Sequence, residues 1–351
     1  MENIRVDIKN ILLTRSSELA KKIVELQYSK QPEFWEPFGK KGKEISIRDA
    51  AYHLPFLTEA IINDDKRIFT NYVAWVKKLF KGLNFPDKVM ISTLKCTRDV
   101  IKKELSNEYF SLVNEYIDAG LEQMNKPIPK SEPHIFSSDK LGETVIQYNK
   151  ALLEGDRKKA SEIILDEVDK GTSISDIYLH VFQKSQYEIG RLWLENKISV
   201  AKEHFCSAAT QQIMSQLYPH IFSSERNGKR MIAANVGGEL HEIGIRMVAD
   251  FFEMDGWDTY YLGANTPTRS IMQAVEDNKA DMVALSIAIP SHISSLKDAI
   301  ELIRKTYSNK VKILIGGYAL TEIGKNWKLF NADGYAEDAQ KAVKLGNSLI
   351  G

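Results

Sequence analysis

The sequence predicts a multidomain protein of α and α/β type, in which two helical domains precede a sheet domain. Apolar residues recur at helical spacing through residues 1–125 and again through 139–222, where strand-like alternation is scarce. Residues 228–351 instead alternate short apolar runs with helical segments, a pattern typical of a parallel sheet covered by helices. The stretch 126–138 is rich in proline and poor in apolar residues, which indicates a linker.

Composition limits the classes of protein that the chain can represent. Its 351 residues are enough for two or three domains, and a hydrophobic share of 43% supports buried cores. Lysine and arginine total 47 and are matched by 47 acidic residues, which argues against a nucleic-acid arm or a basic membrane patch. No segment resembles a membrane span or a signal peptide. Because Cys96 and Cys206 are distant in sequence, they favour a reducing compartment, and we expect a cytoplasmic protein.

Residues 1–125 are predicted to be entirely helical, with helices at 11–26, 51–62, 68–79, 89–105 and 109–124. The region has more aromatic residues around His53 than a plain bundle requires. A packed core histidine is one interpretation. The other is an apolar pocket for a flat ligand, in which His53 is a polar anchor. We find no helix-turn-helix signature and expect no direct contact with nucleic acid.

Residues 139–222 are predicted to form four helices joined by short connections, which favours an antiparallel four-helix bundle. Trp193 ends the third helix, and Glu203 and His204 begin the fourth. All three side chains are therefore expected at one end of the bundle. Taken alone, a residue such as Trp193 is more often part of the core, and one such as Glu203 is more often a surface charge.

Residues 228–351 are predicted to form a doubly wound parallel sheet of flavodoxin-like order. The predicted strands are 230–236, 258–262, 282–287, 312–315 and 332–335. The predicted helices are 241–254, 268–277, 291–306, 319–326 and 338–349. The first strand is followed by neither a dinucleotide-binding glycine pattern nor a phosphate-binding loop, so sites of those two kinds are not supported.

The turn after the first strand carries the strongest chemical signal. It contains His241, with Glu239 two residues before it and Gly244 three residues after it. A neutral imidazole at such a turn can bind a metal, and a nearby carboxylate can fix its tautomer. A polar helix start is the alternative. Ser286 ends the third strand and Gly316-Gly317 ends the fourth, so the sequence predicts a slot at this edge of the sheet.

These motifs together resemble those of cobalamin-binding proteins. Glu239-Leu-His-Glu-Ile-Gly244 is similar to the family motif D-x-H-x-x-G, with glutamate in place of aspartate. Ser286-Ile-Ala resembles the S-x-L motif, and Gly316-Gly317 matches the later G-G motif. The resemblance implies that His241 is the lower axial ligand of cobalt and that Glu239 orients it. It also implies that the displaced nucleotide tail of the cofactor contacts three residues: Ser286, Gly316 and Gly317.

The helical bundle resembles the cap of light-sensing adenosylcobalamin photoreceptors, whose motif is W-x9-E-H. That resemblance implies that Trp193 packs on the 5′-deoxyadenosyl group, with Glu203 and His204 hydrogen-bonded around it. Many of these photoreceptors have a histidine after the tryptophan, where this chain has Leu194, so a bis-histidine photoproduct through that position is excluded. Residues 1–125 are similar to the N-terminal domain of photocobilins, which bind a bilin, through the surroundings of His53.

The resulting hypothesis is an adenosylcobalamin photoreceptor without catalytic turnover. Light would cleave the cobalt–carbon bond and change the arrangement of domains in a homo-oligomer. Biliverdin is a second expected cofactor. A covalent link would have to use Cys96, the only thiol of its domain, and non-covalent binding is expected. Two alternatives for the whole chain are a corrinoid protein that carries methyl groups for partner methyltransferases, and a cobalamin buffer. The alternative for residues 1–125 is a helical docking domain.

Overall fold

The chain divides into two compact units, Met1–Lys130 and Ser131–Gly351. The computed structural model describes residues 2–222 and 224–351. The boundary between the units falls within the segment 126–138 that the sequence predicts to be a linker. Within the described ranges, no helix is both long and apolar enough to cross a membrane.

The described part of the first unit is helical throughout. Its long helices are α1 (Glu2–Thr14), α2 (Ser16–Lys30), α3 (Gly39–Ile62), α4 (Lys66–Gly82), α5 (Lys88–Glu104) and α6 (Asn107–Met124). The prediction of one helix over 11–26 is wrong, because α1 and α2 separate at Arg15. Leu12 and Leu19 are both buried on either side of the break, so the apolar spacing continues across it and conceals it.

The second unit begins with a helical bundle. Its main helices are α7 (Gly142–Glu154), α8 (Arg157–Asp169), α9 (Gln183–Leu194) and α10 (Val200–Gln216). A helical turn, Ile174–Ile177, and a π-helical turn, Tyr178–Phe182, lead directly into α9. Ser173 begins this segment by accepting a hydrogen bond from the backbone N–H of Asp176 at 3.1 Å. We call the residues 193–204, which connect α9 to α10, the cap hairpin.

The sheet follows the bundle and has the predicted flavodoxin-like order β2-β1-β3-β4-β5, with every pair parallel. Its strands are β1 (Arg230–Val236), β2 (Asp258–Thr266), β3 (Met282–Ser286), β4 (Lys312–Gly316) and β5 (Gly334–Ala336). The helices between and after them are α11 (Ile243–Met254), α12 (Thr268–Asn278), α13 (Ile293–Tyr307), α14 (Tyr318–Ile323) and α15 (Ala339–Ile350).

Two details of the sheet domain correct the sequence prediction. The first helix begins at Ile243 rather than at residue 241, so His241 lies in a loop. The second strand extends to Thr266 rather than to residue 262. Its register against β1 shifts near Ala234, and Gly263 adopts a φ of +80°. β2 therefore continues past residue 262 with an irregular register, although apolar and polar residues no longer alternate regularly there.

The bundle and the sheet domain share a core, and two buried polar side chains of α11 join them. Met247 and Phe251 of α11 belong to the same buried cluster as the bundle residues. Tyr178 donates its hydroxyl hydrogen to Asp250 at 2.8 Å. Arg246 donates to the carbonyl oxygen of Gln211 at 3.0 Å. The bundle is therefore fixed to the sheet domain by directional contacts as well as by apolar packing.

The Asp250 contact predicts a pH-dependent stability. Burial raises the pKa of Asp250 from 3.8 to about 6. A raised carboxyl pKa contributes stability that is present below pH 4 and is lost as the pH rises through 6. Two pKa units correspond to about 3 kcal/mol. We expect the free energy of unfolding of the wild type to fall by about 2–3 kcal/mol, relative to Asp250→Asn, between pH 4 and pH 7. Urea unfolding of both proteins across this range measures it, and parallel pH profiles would contradict it.

Candidate functional site

The loop 237–242 connects β1 to α11 at the carboxyl edge of the sheet. Gly238 adopts a φ of +92°, a left-handed conformation that favours glycine. Its backbone N–H donates to the side-chain oxygen of Asn265 at 2.7 Å, and Asn265 N–H donates to the carbonyl of Glu239 at 2.8 Å. The loop is thereby tied to the end of β2, which fixes the position of the residues that follow.

Glu239 and His241 form a closely bonded pair in this loop. The carboxylate of Glu239 is fully buried, whereas 61% of the His241 side chain is exposed. Glu239 Oε1 lies 2.6 Å from His241 Nδ1 and accepts the backbone N–H of His241 at 2.9 Å. Because Nδ1 is engaged, Nε2 is the ring nitrogen available to a metal.

The same contact sets the protonation of both side chains. Burial alone would raise the pKa of Glu239, but hydrogen bonds from His241 and His292 hold that pKa well below its usual range. The Glu239 carboxylate raises the pKa of His241, an effect that burial opposes. The negative charge of Glu239 is therefore a fixed property of the loop, and it increases the basicity of the imidazole.

His292 is a member of this site that the sequence analysis missed. The second oxygen of Glu239 accepts the backbone N–H groups of Ala288 and Ile289, at 2.7 and 3.0 Å, and lies 3.1 Å from His292 Nδ1. His292 ends the short 3-10 helix that follows β3. The sequence could have suggested this residue, because His292 follows Ser286 by only six residues and so lies at the edge of the sheet that carries His241. Residues that follow β1 and residues that follow β3 therefore both hold the Glu239 carboxylate in place.

Because several groups hydrogen-bond the Glu239 carboxylate, substitution of His292 should have only a small effect on corrinoid affinity. In the variant His292→Ala, four of the five hydrogen bonds that reach Glu239 remain, so the carboxylate should keep its position. We expect corrinoid affinity to fall by less than about tenfold, the lower end of the usual effect of residues that orient a metal ligand. Spectroscopic titration of wild type and variant measures this. A loss as large as that caused by Glu239→Gln would show that His292 is indispensable.

Ser286, Gly316 and Gly317 lie together across the sheet edge, as the sequence predicts. Ser286 pairs in register with Gly316 of the neighbouring strand. Gly317 has a φ of +102°, and a Cβ built there would lie 2.2 Å from the carbonyl oxygen of Ile287. A Cβ on Gly316 would lie 3.0 Å from the carbonyl oxygen of Ala336. Larger residues at 316 and 317 would therefore distort the strand ends beside Ser286.

Other positions leave room for a ligand. A Cβ built on Gly237 or Gly244 would meet no heavy atom within 4 Å. Asn235, at the end of β1, is fully buried, and neither atom of its amide has a hydrogen-bond partner among the described residues. An exposed imidazole, an unpaired amide and glycine-lined space fit a large ligand with polar groups and a metal centre.

The metal would have to arrive within that ligand. Among the described residues, no group of three or more histidine, cysteine, aspartate or glutamate side chains could hold a metal ion. A corrin ring supplies four nitrogens to its cobalt, so one protein imidazole suffices as a further ligand. The donors present at His241 therefore fit a corrinoid better than a bare ion.

The cap hairpin brings the three predicted bundle residues to one end of the bundle. Trp193 lies in the last turn of α9 and is partly buried. Glu203 and His204 lie in the first turns of α10, where Glu203 Oε2 is 2.5 Å from His204 Nδ1. Ser207 donates to the other oxygen of Glu203 at 2.9 Å. Besides the hydrogen bond with Glu239, which is the main cause of the raised pKa of His241, the negative charge of Glu203 acts on that pKa in the same direction.

His53 belongs to the first unit, where it lies on α3. Its Nδ1 is 2.7 Å from the hydroxyl of Tyr72, whose ring stacks on Phe56 with centroids 3.7 Å apart. Burial lowers the pKa of His53 to about 4, so the imidazole is neutral at pH 7. Arg48, five residues before His53 on the same helix, contacts its neighbour Asp49. The polar contact of His53 is therefore a tyrosine within an aromatic stack.

Comparisons with known families cover both units. Residues 229–344 match the family described as B12 binding domain, and residues 147–218 match a second family with that description. Residues 1–124 match the family described as Phycobilisome protein. The two B12-binding matches contain every predicted site residue of the second unit, from Trp193 to Gly317.

Individual relatives are corrinoid proteins. Dimethylamine corrinoid protein 3 of Methanosarcina mazei is 27% identical over 166 residues, which are 47% of this chain and 96% of that protein. A corrinoid protein of Desulfitobacterium hafniense (strain Y51) is 23% identical over 210 residues, which are 58% of this chain and 96% of that protein. The structure of the Methanosarcina barkeri monomethylamine corrinoid protein has a TM-score of 0.54 at 18% identity, covering 60% of this chain and 100% of that one. The structural likeness shows a shared fold.

These findings overturn the light-sensor prediction. The curated relatives are corrinoid proteins, and they favour the alternative of a methyl-carrying corrinoid protein over a photoreceptor. The cap motif misled the prediction because Trp193, Glu203 and His204 do not by themselves define which upper ligand a corrinoid protein carries. The loop, the slot and the family matches all point to the same class of cofactor: residues 147–218 and 229–344 are each similar to B12-binding domains.

Proposed function

We propose that this chain is a corrinoid protein that carries methyl groups between partner methyltransferases. The observation that carries the proposal is the buried Glu239 carboxylate bonded to Nδ1 of an exposed His241, at the carboxyl edge of the sheet. The names of its relatives, dimethylamine and monomethylamine corrinoid proteins, support a methylamine as the source of the methyl group. The carrier itself performs no catalysis, which belongs to the partner enzymes.

Each part of the site has a distinct task under this proposal. A bound corrinoid supplies a cobalt centre that accepts a methyl group and releases it again. His241 would hold the cobalt through Nε2, and Glu239 keeps the imidazole in the orientation and tautomer that this requires. Ser286, Gly316 and Gly317 would line the space for the nucleotide tail of the corrinoid, and Gly244 leaves space at the start of α11.

Under this proposal the residues of the cap hairpin would act on the group that the corrinoid carries. Trp193 would shield that group from water, and Glu203 and His204 would supply polar contacts around it. An adenosyl upper ligand, which the cap motif predicts by resemblance, remains a prediction beside the methyl group proposed here. Titration with methylcobalamin and with adenosylcobalamin separates the two, because a carrier should bind the methyl form at least as tightly.

The function is tested by following the methyl group. The protein is loaded with cobalamin, reduced, and mixed with a methylamine and a corrinoid-dependent methylamine methyltransferase. We expect the absorption spectrum to change to that of methylcobalamin, and a thiol with its own methyltransferase to remove the methyl group again. The His241→Ala variant serves as the control for correct cobalt coordination. Tight cobalamin binding without methyl transfer in either direction would contradict the proposal.

We propose as a second candidate that residues 1–124 bind a linear tetrapyrrole such as biliverdin. The match to the phycobilisome protein family favours this, as does the neutral imidazole of His53 within an aromatic stack. Apolar rings cover such a ligand while a few polar groups orient it. The competing proposal is a helical docking domain, in which the same aromatic residues form only core and interface.

For His53 we expect a specific spectral effect. Added biliverdin should give a sharpened, red-shifted absorption band with the full-length protein, and His53→Ala should weaken binding by about tenfold through loss of a buried hydrogen-bonding group. His180→Ala, in the second unit, is the matched control and should bind the pigment like the wild type. If biliverdin keeps its free-solution spectrum in the presence of the wild type, the docking-domain alternative stands.

A further inference from the structure

Asn235 is an unusual residue for its position. It lies in the interior strand β1, where Met231, Ile232, Ala233, Ala234 and Val236 are all apolar and fully buried. Asn235 is itself fully buried, and both its side-chain oxygen and its side-chain nitrogen lack a hydrogen-bond partner among the described residues. An unpaired buried amide typically costs about 1–3 kcal/mol. The strand therefore includes a polar group that its own protein environment does not satisfy.

The amide is aligned with the predicted slot. Asn235 pairs in register with Ser286, and Ser286 pairs in register with Gly316. Registered residues on adjacent strands project to the same face of a sheet, so the amide of Asn235 and the hydroxyl of Ser286 share one face. The Ser286 hydroxyl oxygen would lie 2.8 Å from a Cβ on Gly317. Asn235 thus extends the row of Ser286 and the two glycines by one strand.

We propose that Asn235 hydrogen-bonds the nucleotide tail of the bound corrinoid and makes the site select corrinoids that carry a complete tail. This inference rests on the proposed corrinoid-binding function. A primary amide offers both donors and an acceptor. A nucleotide tail presents both kinds of partner, since its ribose hydroxyl donates while its phosphate and base nitrogen accept. A simple anion, cation or apolar group would leave part of the amide unpaired.

The test compares two ligands that differ only in the tail. Wild type and Asn235→Leu are titrated with cobalamin and with cobinamide, which keeps the corrin ring and cobalt but lacks the nucleotide. We expect the variant to bind cobalamin about tenfold or more weakly, as the loss of a hydrogen bond from a buried amide implies. Its affinity for cobinamide should equal that of the wild type. Asn278→Leu removes an amide at the end of α12 and should change neither affinity.

The ligand-free protein gives a second readout of opposite sign. Because Asn235→Leu replaces an unpaired buried amide by an apolar group of similar size, its thermal midpoint without ligand should equal or exceed that of the wild type. A lower midpoint would mean that the amide is satisfied within the protein, and would overturn the inference. Unchanged cobalamin affinity, or an equal loss for cobalamin and cobinamide, would overturn it as well.

The outcome is independent of the methyl-transfer proposal. Both titrations need no partner enzyme, and the thermal midpoint needs no cofactor. If the wild type transfers methyl groups and Asn235→Leu still discriminates cobalamin from cobinamide as the wild type does, only this inference fails. If the predicted discrimination is found but no methyl transfer occurs, only the carrier function fails.

Discussion

Replacing His241 by alanine is expected to abolish cobalt coordination by the protein while leaving the fold intact. The side chain is 61% exposed and its recorded hydrogen bonds are to Glu239, so its removal disturbs little packing. Substituting a residue that orients a metal ligand typically lowers metal affinity by about 10–100-fold. Loss of the metal ligand itself should lower the affinity by more than this. The spectrum of bound cobalamin should shift to that of a cobalt without an imidazole ligand.

The matched control for this variant is His220→Ala, which removes another exposed histidine of the second unit. It should bind cobalamin with the affinity and spectrum of the wild type. Circular dichroism and thermal unfolding of the ligand-free proteins check that neither substitution changes the fold. Wild-type affinity and spectrum in His241→Ala would place the cobalt ligand elsewhere.

The second large effect is expected for Glu239→Gln. Glutamine has nearly the same shape, but it replaces one acceptor oxygen by an NH2 group and removes the negative charge. It cannot accept from both His241 and the backbone amides of Ala288 and Ile289, so at least one buried donor is left unpaired. We expect about 10–100-fold weaker cobalamin binding.

Glu239→Asp is the informative companion variant, because it keeps the charge and matches the aspartate of the usual family motif. We expect it to recover part of the affinity that Glu239→Gln loses. The dissociation constants of the three proteins, measured by spectroscopic titration at one pH, test this order. If the glutamine variant binds as tightly as the wild type, Glu239 does not act through the His241 imidazole.

The sheet and its edge were predictable from sequence because they follow local patterns. Apolar runs separated by helical segments define a doubly wound sheet, and the ends of parallel strands share one edge. Glu239, Ser286 and Gly317 therefore could be placed together without coordinates. Gly317 was identifiable as a glycine, but its φ of +102° and its close approach to the Ile287 carbonyl depend on the folded strands.

What the sequence did not reveal depends on long-range contacts. His292 reaches Glu239 only because the chain turns through a 3-10 helix after β3, 53 residues from its partner in sequence. The break at Arg15 was concealed because both flanking helices bury residues against the same core. The unpaired amide of Asn235 could not be predicted, because only the folded structure shows that no described residue forms a hydrogen bond with it.

The error about light had a different origin. Trp193, Glu203 and His204 were correctly expected at one end of the bundle, but their pattern does not determine which upper ligand a corrinoid carries. The negative charge of Glu203 contributes to the raised pKa of His241, but this says nothing about which group a corrinoid would carry there. The argument against a light sensor comes from the relatives, which are corrinoid proteins.

Under the proposed function, the loop after β1 binds a corrinoid through the imidazole of His241. This coordination can be measured by electron paramagnetic resonance of the paramagnetic Co(II) form, bound to protein with and without 15N-labelled histidine. A nitrogen ligand from natural histidine splits the signal into triplets, and a 15N ligand splits it into doublets. We predict triplets for unlabelled protein, doublets for labelled protein, and neither for His241→Ala. Triplets that persist after histidine labelling would show that the cofactor keeps its own base on cobalt, which would contradict the account.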